Sequence, residues 1–474
     1  MSSYVSETSA IILIFGITGD LAQRKLLPTL YNLEQTGELP ENTRIIGISR
    51  HEVSVEDVYA KLKDKIGDSY SPAIARLLHS RTEMRQMDLL DPREYQDLLK
   101  YLDELDSAND PALRLYYLSI PPSASTPIIR LLGQTGHNIS KRCGRQGVRL
   151  MAEKPFGYDL QSAKELIEVL EEHFEESQMY RIDHYVAKET VQNILTFRFK
   201  NPLFDSVWNN KHIDHITVLA YEKIGVEGRA NFYEQTGALR DLIQSHLLQL
   251  LTFTTMEEPN KMECQNIHDT KLALLRDIRP IAADQVANSA VRGQYDGYRE
   301  EVDRPSSNIE TYAQVKLEID NDTWRGVPIV LETGKALSEK TTEITVCFKQ
   351  PHGEGHPHNR LVFRIQPDEG ITLLLQVKRP GIDDTSEQVK MKFDYDTTFS
   401  KLRSPTGYER VMVEALRGDQ TLFSSADEVL ASWAVIQHVI EEWSKGNSGL
   451  LIYKKGSTGP EVSLNPHNHR GTKT

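Results

Sequence analysis

The rhythm of apolar residues changes once along this chain, near residue 200, and that change limits the folds open to it. Before it, apolar runs of strand length alternate with stretches of helical period. Ile11-Ile-Leu-Ile-Phe15 has no polar break and stops at Gly16, as expected of a strand buried on both faces. Leu21, Leu26, Leu30 and Leu33 follow at near-helical spacing. Arg44–Ser49, Arg114–Ile120, Val148–Lys154 and Met179–Asp183 read as further strands, and Glu189–Phe199 reads as a helix. Such alternation predicts a parallel, doubly wound sheet.

Beyond residue 200 strand candidates crowd together: His215–Tyr221, Thr311–Leu317, Glu343–Phe348, Arg360–Ile365, Ile371–Val377 and Val389–Phe393. With little helix between them they predict a large, mainly antiparallel sheet. Val389, Met391 and Phe393 alternate with Lys390 and Lys392, which predicts one buried and one wet face. Ser425 and Glu428 have capping-box spacing. The helix they open carries Leu430, Trp433, Ile436, Ile440 and Trp443 on one face, expected to pack on the sheet. The polar tail, 456–474, is expected to be mobile. A length of 474 residues exceeds one core and suggests two domains.

Gly16-Ile-Thr-Gly19-Asp-Leu-Ala22 sits directly after the first strand and opens a helix. Gly16 allows a tight turn, Gly19 a close approach of backbone to pyrophosphate, and Ala22 close helix–sheet packing. Thr18, Asp20 and Leu21 belong to the same cofactor-binding turn, which marks a Rossmann-like dinucleotide fold. At the end of the second strand stand Ser49 and Arg50, a hydroxyl and a guanidinium suited to a 2′-phosphate. They favour NADP, and nearby Glu52 keeps NAD open as a secondary cofactor.

The formal net charge is −13, which argues against nucleic acid and anionic membrane as partners. An anionic small substrate then needs a local positive cluster. Arg181-Ile-Asp-His-Tyr-Val-Ala-Lys-Glu189 supplies one at a strand-to-helix junction. Asp183 can orient a histidine, while His184, Tyr185 and Lys188 can donate to phosphate. Three widely spaced cysteines, Cys143, Cys264 and Cys347, show no metal or CxxC spacing and suggest reduced thiols in the cytoplasm. Residues 1–10 carry no basic signal-like region, and no apolar run is long enough to span a bilayer. His352, His356 and His358 lie among Gly and Pro, so a hairpin loop is expected there and no metal site.

In order along the chain, Gly16–Ala22, Glu153-Lys-Pro-Phe-Gly157 and Arg181–Tyr185 with Lys188 resemble glucose-6-phosphate dehydrogenase. The resemblance continues through Glu227-Gly-Arg229, Arg240–Gln249, Val291–Tyr295, Gly334–Leu337 and Tyr408-Glu-Arg410. It departs at Val186-Ala187, where the family has Leu-Gly. The resemblance implies a dinucleotide-binding domain over residues 1–183 and a substrate-binding and oligomerisation β+α domain over 184–474. It implies oxidation of glucose 6-phosphate at C1 by NADP, the first oxidative step of the pentose phosphate pathway, in a homodimer or homotetramer. Two other readings are a dehydrogenase of a related sugar or sugar phosphate and a non-catalytic dinucleotide-binding protein.

His246 lies on the apolar stripe Leu239, Leu242, Ile243 and Leu250, where a histidine by itself reads as a core residue. The resemblance makes it the catalytic base, with Asp183 as its carboxylate partner. It assigns His184, Tyr185 and Lys188 to the sugar phosphate, and Glu222, Asp241, Lys335 and Lys340 to the sugar hydroxyls or phosphate. Lys25 and Lys154 become positioning lysines between cofactor and sugar. The tight turn at Lys154-Pro155 suggests a cis peptide bond. A second, structural NADP site occurs in some lineages of the family; the short tail argues against one here.

Overall fold

The computed structural model describes residues 9–108, 112–350, 357–400, 402–446, 449–461 and 464. Its first sheet contains β1 (Ser9–Phe15), β2 (Asn42–Ser49), β3 (Thr82–Gln86), β4 (Leu113–Leu118), β5 (Val148–Glu153) and β6 (Met179–Ile182). In space these run 3-2-1-4-5-6, all parallel, which is the dinucleotide-binding order with its switch point between β1 and β4. Every residue of β1 and β4 is buried, as their unbroken apolar runs require. β3 escaped the sequence reading because Thr-Glu-Met-Arg-Gln has no apolar run.

The second sheet has nine strands. They are β7 (Ile213–Tyr221), β8 (Ala290–Tyr295), β9 (Tyr312–Leu317), β10 (Ile329–Gly334), β11 (Thr341–Phe348), β12 (Arg360–Gln366), β13 (Gly370–Lys378), β14 (Ser386–Asp394) and β16 (Leu450–Tyr453). A short β15 (Phe423–Ser424) returns to the first sheet and pairs antiparallel with β6. The second sheet is mainly antiparallel, but β7–β10 and β8–β16 are parallel pairs.

Three sequence expectations need correction. Helix is not scarce between these strands: Ala230–Ala238, Leu239–Leu247, Leu248–Thr255 and Cys264–Asp277 all lie between β7 and β8. Met391 is 61% exposed, so edge strand β14 does not bury its apolar set. Trp433, Ile436 and Ile440 are buried, but their helix Ala426–Ser444 packs on the helices Cys264–Asp277 and Leu160–Glu171 rather than on a sheet. Within the tail, Leu464 N–H donates to Gln314 Oε1 at 2.7 Å; residues 462, 463 and 465–474 lie outside the described residues. Ser425 caps the helix Ala426–Ser444 by accepting from Glu428 N–H at 3.2 Å, while the Glu428 carboxylate turns elsewhere.

His352 and His356 lie outside the described residues; His358 lies 2.8 Å from the Phe348 carbonyl through Nδ1. Among the described residues no group of His, Cys, Asp and Glu is arranged to hold a metal ion. Among them, too, no helix is long and apolar enough to cross a membrane.

Candidate active site

The C-terminal ends of the parallel strands carry most of the residues singled out from the sequence. After β1, Gly16 adopts φ 81° and its N–H donates to the Ile48 carbonyl at 3.1 Å. A Cβ on Gly16 would lie 2.4 Å from the Ser119 carbonyl oxygen, so only glycine lets the turn pass this close to β4. Gly19 N–H closes the turn onto the Gly16 carbonyl at 2.9 Å. The following segment, Ala22–Leu26, is wound as a π-helix before the α-helix Leu27–Thr36. Buried Ala22 lets this helix lie against the sheet.

The turn therefore occupies the switch point, where an α/β sheet receives a dinucleotide. The buried Ser119 hydroxyl beside it has no partner among the described residues. These features fit a dinucleotide. Thr18, Asp20 and Lys25 are exposed, Leu21 is half-buried, and Asp20 meets Arg24 at 3.5 Å. Ser49 is buried and its hydroxyl accepts from His51 N–H at 3.2 Å, which turns it toward its own loop. Arg50 is exposed at the end of β2. No hydrogen bond among the described residues joins Lys25 or the Arg50 side chain to the histidine cluster below.

That cluster gathers at β5, β6 and the helix Leu239–Leu247. Lys154 follows β5, and the Lys154–Pro155 bond is cis. Its ammonium donates to the Asp241 carbonyl at 2.5 Å and lies 3.3 Å from Asp241 Oδ1. Asp183 follows β6. Its Oδ1 lies 2.6 Å from His246 Nδ1 and also accepts from Tyr185 N–H at 3.0 Å. Asp183 Oδ2 is buried without a partner among the described residues.

Leu239–Leu247 is a π-helix, whose i→i+5 ladder brings residues five apart nearly above one another. Asp241 and His246 have that spacing and are both buried. The helix is entered through Gly237 at φ 62°. A Cβ there would sit 2.2 Å from Glu310 Oε1. The same carboxylate accepts from Leu239 N–H at 3.0 Å and so caps the helix.

Electrostatics follow from burial and neighbours. Burial would raise the Asp183 carboxyl, but the charge and hydrogen bond of His246, with His184 and Lys154, hold it well below the usual range. Burial pushes His246 below an ordinary histidine, against the upward pull of Asp183. Burial, aided by the charge of His246, depresses His184 strongly. Neutral imidazoles at neutral pH result, with an ionised Asp183 holding His246 by Nδ1 and leaving Nε2 to take a proton.

The aromatic rings lock this arrangement. Tyr185 stacks on His246 at 4.1 Å, His184 meets it edge-on at 4.9 Å, and Tyr408 stacks on His184 at 5.7 Å. Lys188 donates to Gln366 Oε1 and sits 4.8 Å from the centre of the Tyr185 ring. Burial lowers its ammonium to about 8, with Glu369 opposing and nearby Lys340 adding to the shift. Exposed Lys340 is close enough to half-buried Lys188 for like charges to repel, a poor arrangement without an anion and a good one with it.

Glu222 and Lys335 follow the parallel neighbours β7 and β10, so the register sets them side by side and they form an ion pair. Burial would raise Asp241, but Lys154, Lys335 and Arg229 together lower it. Val186 and Ala187, the departure from the family pattern, are both 1% exposed and belong to the interior.

Three residues of this site escaped sequence reasoning. Gln366 links Lys188 to Thr342, to which its Nε2 donates at 3.1 Å. Tyr408 is marked in the sequence only by the Tyr408-Glu-Arg410 motif. Glu153 accepts from the Tyr117 hydroxyl at 2.5 Å, and burial pushes its carboxyl up to about 7. Glu153 is marked in the sequence only as the opening residue of the Glu153–Gly157 motif beside Lys154; nothing local marks Gln366.

Comparison with known proteins gives the chain's family. Residues 13–193 match the family model described as glucose-6-phosphate dehydrogenase, NAD binding domain, and residues 195–473 match its C-terminal domain. The chain is 40% identical to glucose-6-phosphate 1-dehydrogenase of Chlamydia muridarum, covering 95% of this chain and 94% of that protein. It is 38% identical to the Bacillus subtilis enzyme of the same name, covering 96% of each. A solved glucose-6-phosphate dehydrogenase in complex with its substrate glucose-6-phosphate superimposes with a TM-score of 0.88 at 32% identity, covering 97% of both chains.

Proposed function

The chain belongs to the glucose-6-phosphate dehydrogenase family, and from that premise we propose how its residues carry out the reaction. It is a glucose-6-phosphate 1-dehydrogenase: it oxidises C1 of D-glucose 6-phosphate to 6-phospho-D-glucono-1,5-lactone and reduces NADP to NADPH. The bound nicotinamide supplies the acceptor for the C1 hydride.

His246 takes the O1 proton through Nε2 as the hydride leaves. Asp183 fixes its tautomer and stabilises the imidazolium that forms. The observation that carries this reading is the 2.6 Å contact between these two buried groups, at the strand ends that also carry the glycine turn. His184, Lys188 and Lys340 hold the phosphate, Gln366 steadies Lys188, and Tyr185 packs against the base. Glu222, Asp241 and Lys335 orient the sugar hydroxyls. Lys154, anchored to Asp241, joins sugar and cofactor sites; Lys25 approaches from the cofactor side. Gly16, Thr18, Gly19, Asp20 and Leu21 cradle the pyrophosphate, and Ser49 and Arg50 receive the 2′-phosphate.

A division near residue 183 then places the carboxylate in one domain and the base in the other, so their contact depends on the two being correctly joined. Self-association to a dimer or tetramer is supported by apolar side chains exposed near the edge of the second sheet, Val377 and Met391 among them. A cytoplasmic location is supported by three unpaired thiols.

The test is NADPH absorbance with glucose 6-phosphate and with glucose, and with NADP and NAD. Reduction dependent on the phosphate is expected. Equal rates on unphosphorylated glucose would assign another sugar substrate; no reduction with either would indicate a binding protein.

A further inference from the structure

Tyr408, Glu409 and Arg410 stand in the first turn of the helix Gly407–Arg417, and each engages a different element. Tyr408 stacks on the His184 ring at 5.7 Å. Glu409 is 1% exposed. Its Oε1 accepts from Asn32 Nδ2 and from Arg403 Nη2, each at 2.7 Å. Asn32 belongs to the helix Leu27–Thr36, which continues from the glycine turn. Glu409 Oε2 accepts from Thr406 N–H at 3.2 Å, and Thr406 Oγ1 accepts from Glu409 N–H at 3.3 Å, a capping box that fixes the helix start. Arg410 Nη1 pairs with Glu189 Oε1.

Glu189 is the first residue of the helix Glu189–Phe199, and Lys188 is its N-cap residue. The Lys188 side chain makes no cap hydrogen bond, and its ammonium donates to Gln366 instead. Where that ammonium points therefore depends on how the helix after it is seated. The helix Gly407–Arg417 meets the same loop through backbone. A Cβ on Gly407 would stand 2.7 Å from the His184 carbonyl oxygen and 3.8 Å from the Ala187 Cβ, so glycine lets the helix start abut residues 184–187.

A carboxylate one residue from Lys188 opposes a bound phosphate by its charge. We propose that Arg410 is a positioning residue for the phosphate clamp, acting through Glu189. The inference rests on the assignment of His184 and Lys188 to the sugar phosphate. The ion pair anchors the first turn of Glu189–Phe199 to a helix start that Glu409 ties to the cofactor side, and so fixes where the Lys188 ammonium meets the phosphate. Position and charge predict opposite signs for Glu189→Gln. Removing a negative charge would by itself tighten phosphate binding, whereas loss of the anchor loosens it.

The experiment uses the full-length protein with Arg410→Gln, Glu189→Gln, the double variant and Arg410→Lys. Calorimetry measures binding of glucose 6-phosphate and of inorganic phosphate, with steady-state kinetics alongside. Each Gln variant should weaken both ligands by about threefold or more and raise KM for glucose 6-phosphate to match, with kcat and KM for NADP held within about twofold. The double variant should be no weaker than either single one, and Arg410→Lys should recover part of the loss. Unchanged affinity in Arg410→Gln, tighter binding in Glu189→Gln, or additive losses in the double variant would overturn the proposal. A fall in kcat without a change in KM would overturn it too. If Arg410→Gln does not fold, Glu189→Gln still decides the sign. Lys188→Ala separates the proposal from its premise. If that variant keeps its phosphate affinity, the clamp assignment fails; if it loses affinity and Arg410→Gln does not, only the positioning role fails.

Discussion

His246 Nδ1 and Asp183 Oδ1 lie 2.6 Å apart although 63 residues separate them. Both are buried, and each sets the protonation state of the other. If His246 is the base, His246→Asn should lower kcat by roughly 10²- to 10⁴-fold. Binding of glucose 6-phosphate, measured by calorimetry, should change little. Near-normal turnover in the variant would remove His246 from the chemistry.

The pH profile has a sign fixed by the same pair. The base works when neutral, and burial lowers His246 below its ordinary value. kcat/KM should therefore fall on the acid side only as pH drops through a value under about 6.5. Asp183 pulls His246 upward, so Asp183→Asn should move this acid limb to still lower pH while kcat falls. An acid limb that shifts upward in the variant would contradict the coupling.

Lys188 should govern the alkaline side of sugar binding. Its ammonium loses its proton as pH rises through about 8, and with it the attraction for phosphate. kcat/KM for glucose 6-phosphate should decline above that pH in the wild type. Lys188→Ala should flatten this limb.

At fixed neutral pH, Lys188→Ala or His184→Asn should mainly raise KM. Loss of a charge-assisted hydrogen bond, about 1.5–3 kcal/mol, corresponds to ~10- to 100-fold. Steady-state kinetics would show this, and an unchanged KM would take either residue out of the phosphate clamp.

Cofactor choice should follow Arg50. Arg50→Ala should shift the NADP/NAD ratio of kcat/KM toward NAD by ~10-fold or more, the scale of one guanidinium–phosphate contact. An unchanged ratio would place the 2′-phosphate elsewhere.

Much of this was legible along the chain because it is local. The unbroken Ile11–Phe15 run stopping at Gly16 specified a buried strand and a tight turn, and both are present. The helix read from Glu189 to Phe199 has those same limits. By contrast β3 has no apolar run, since five residues near a sheet edge need little apolar surface. The apolar stripe at Trp433, Ile436 and Ile440 announced burial but not its partner, which is helical.

Residue types and their order along the backbone were thus enough for the glycine turn, the junction at 181–189 and the family resemblance. Three-dimensional packing alone decided that Asp241 and His246 share one side of a π-wound helix and that Gln366 reaches Lys188. It also decided that a carboxylate after β6 meets an imidazole on that helix. The physical reason is range. Strand and helix periods are set by neighbours within a few residues, whereas a proton's position depends on burial and charges that only the folded chain brings together.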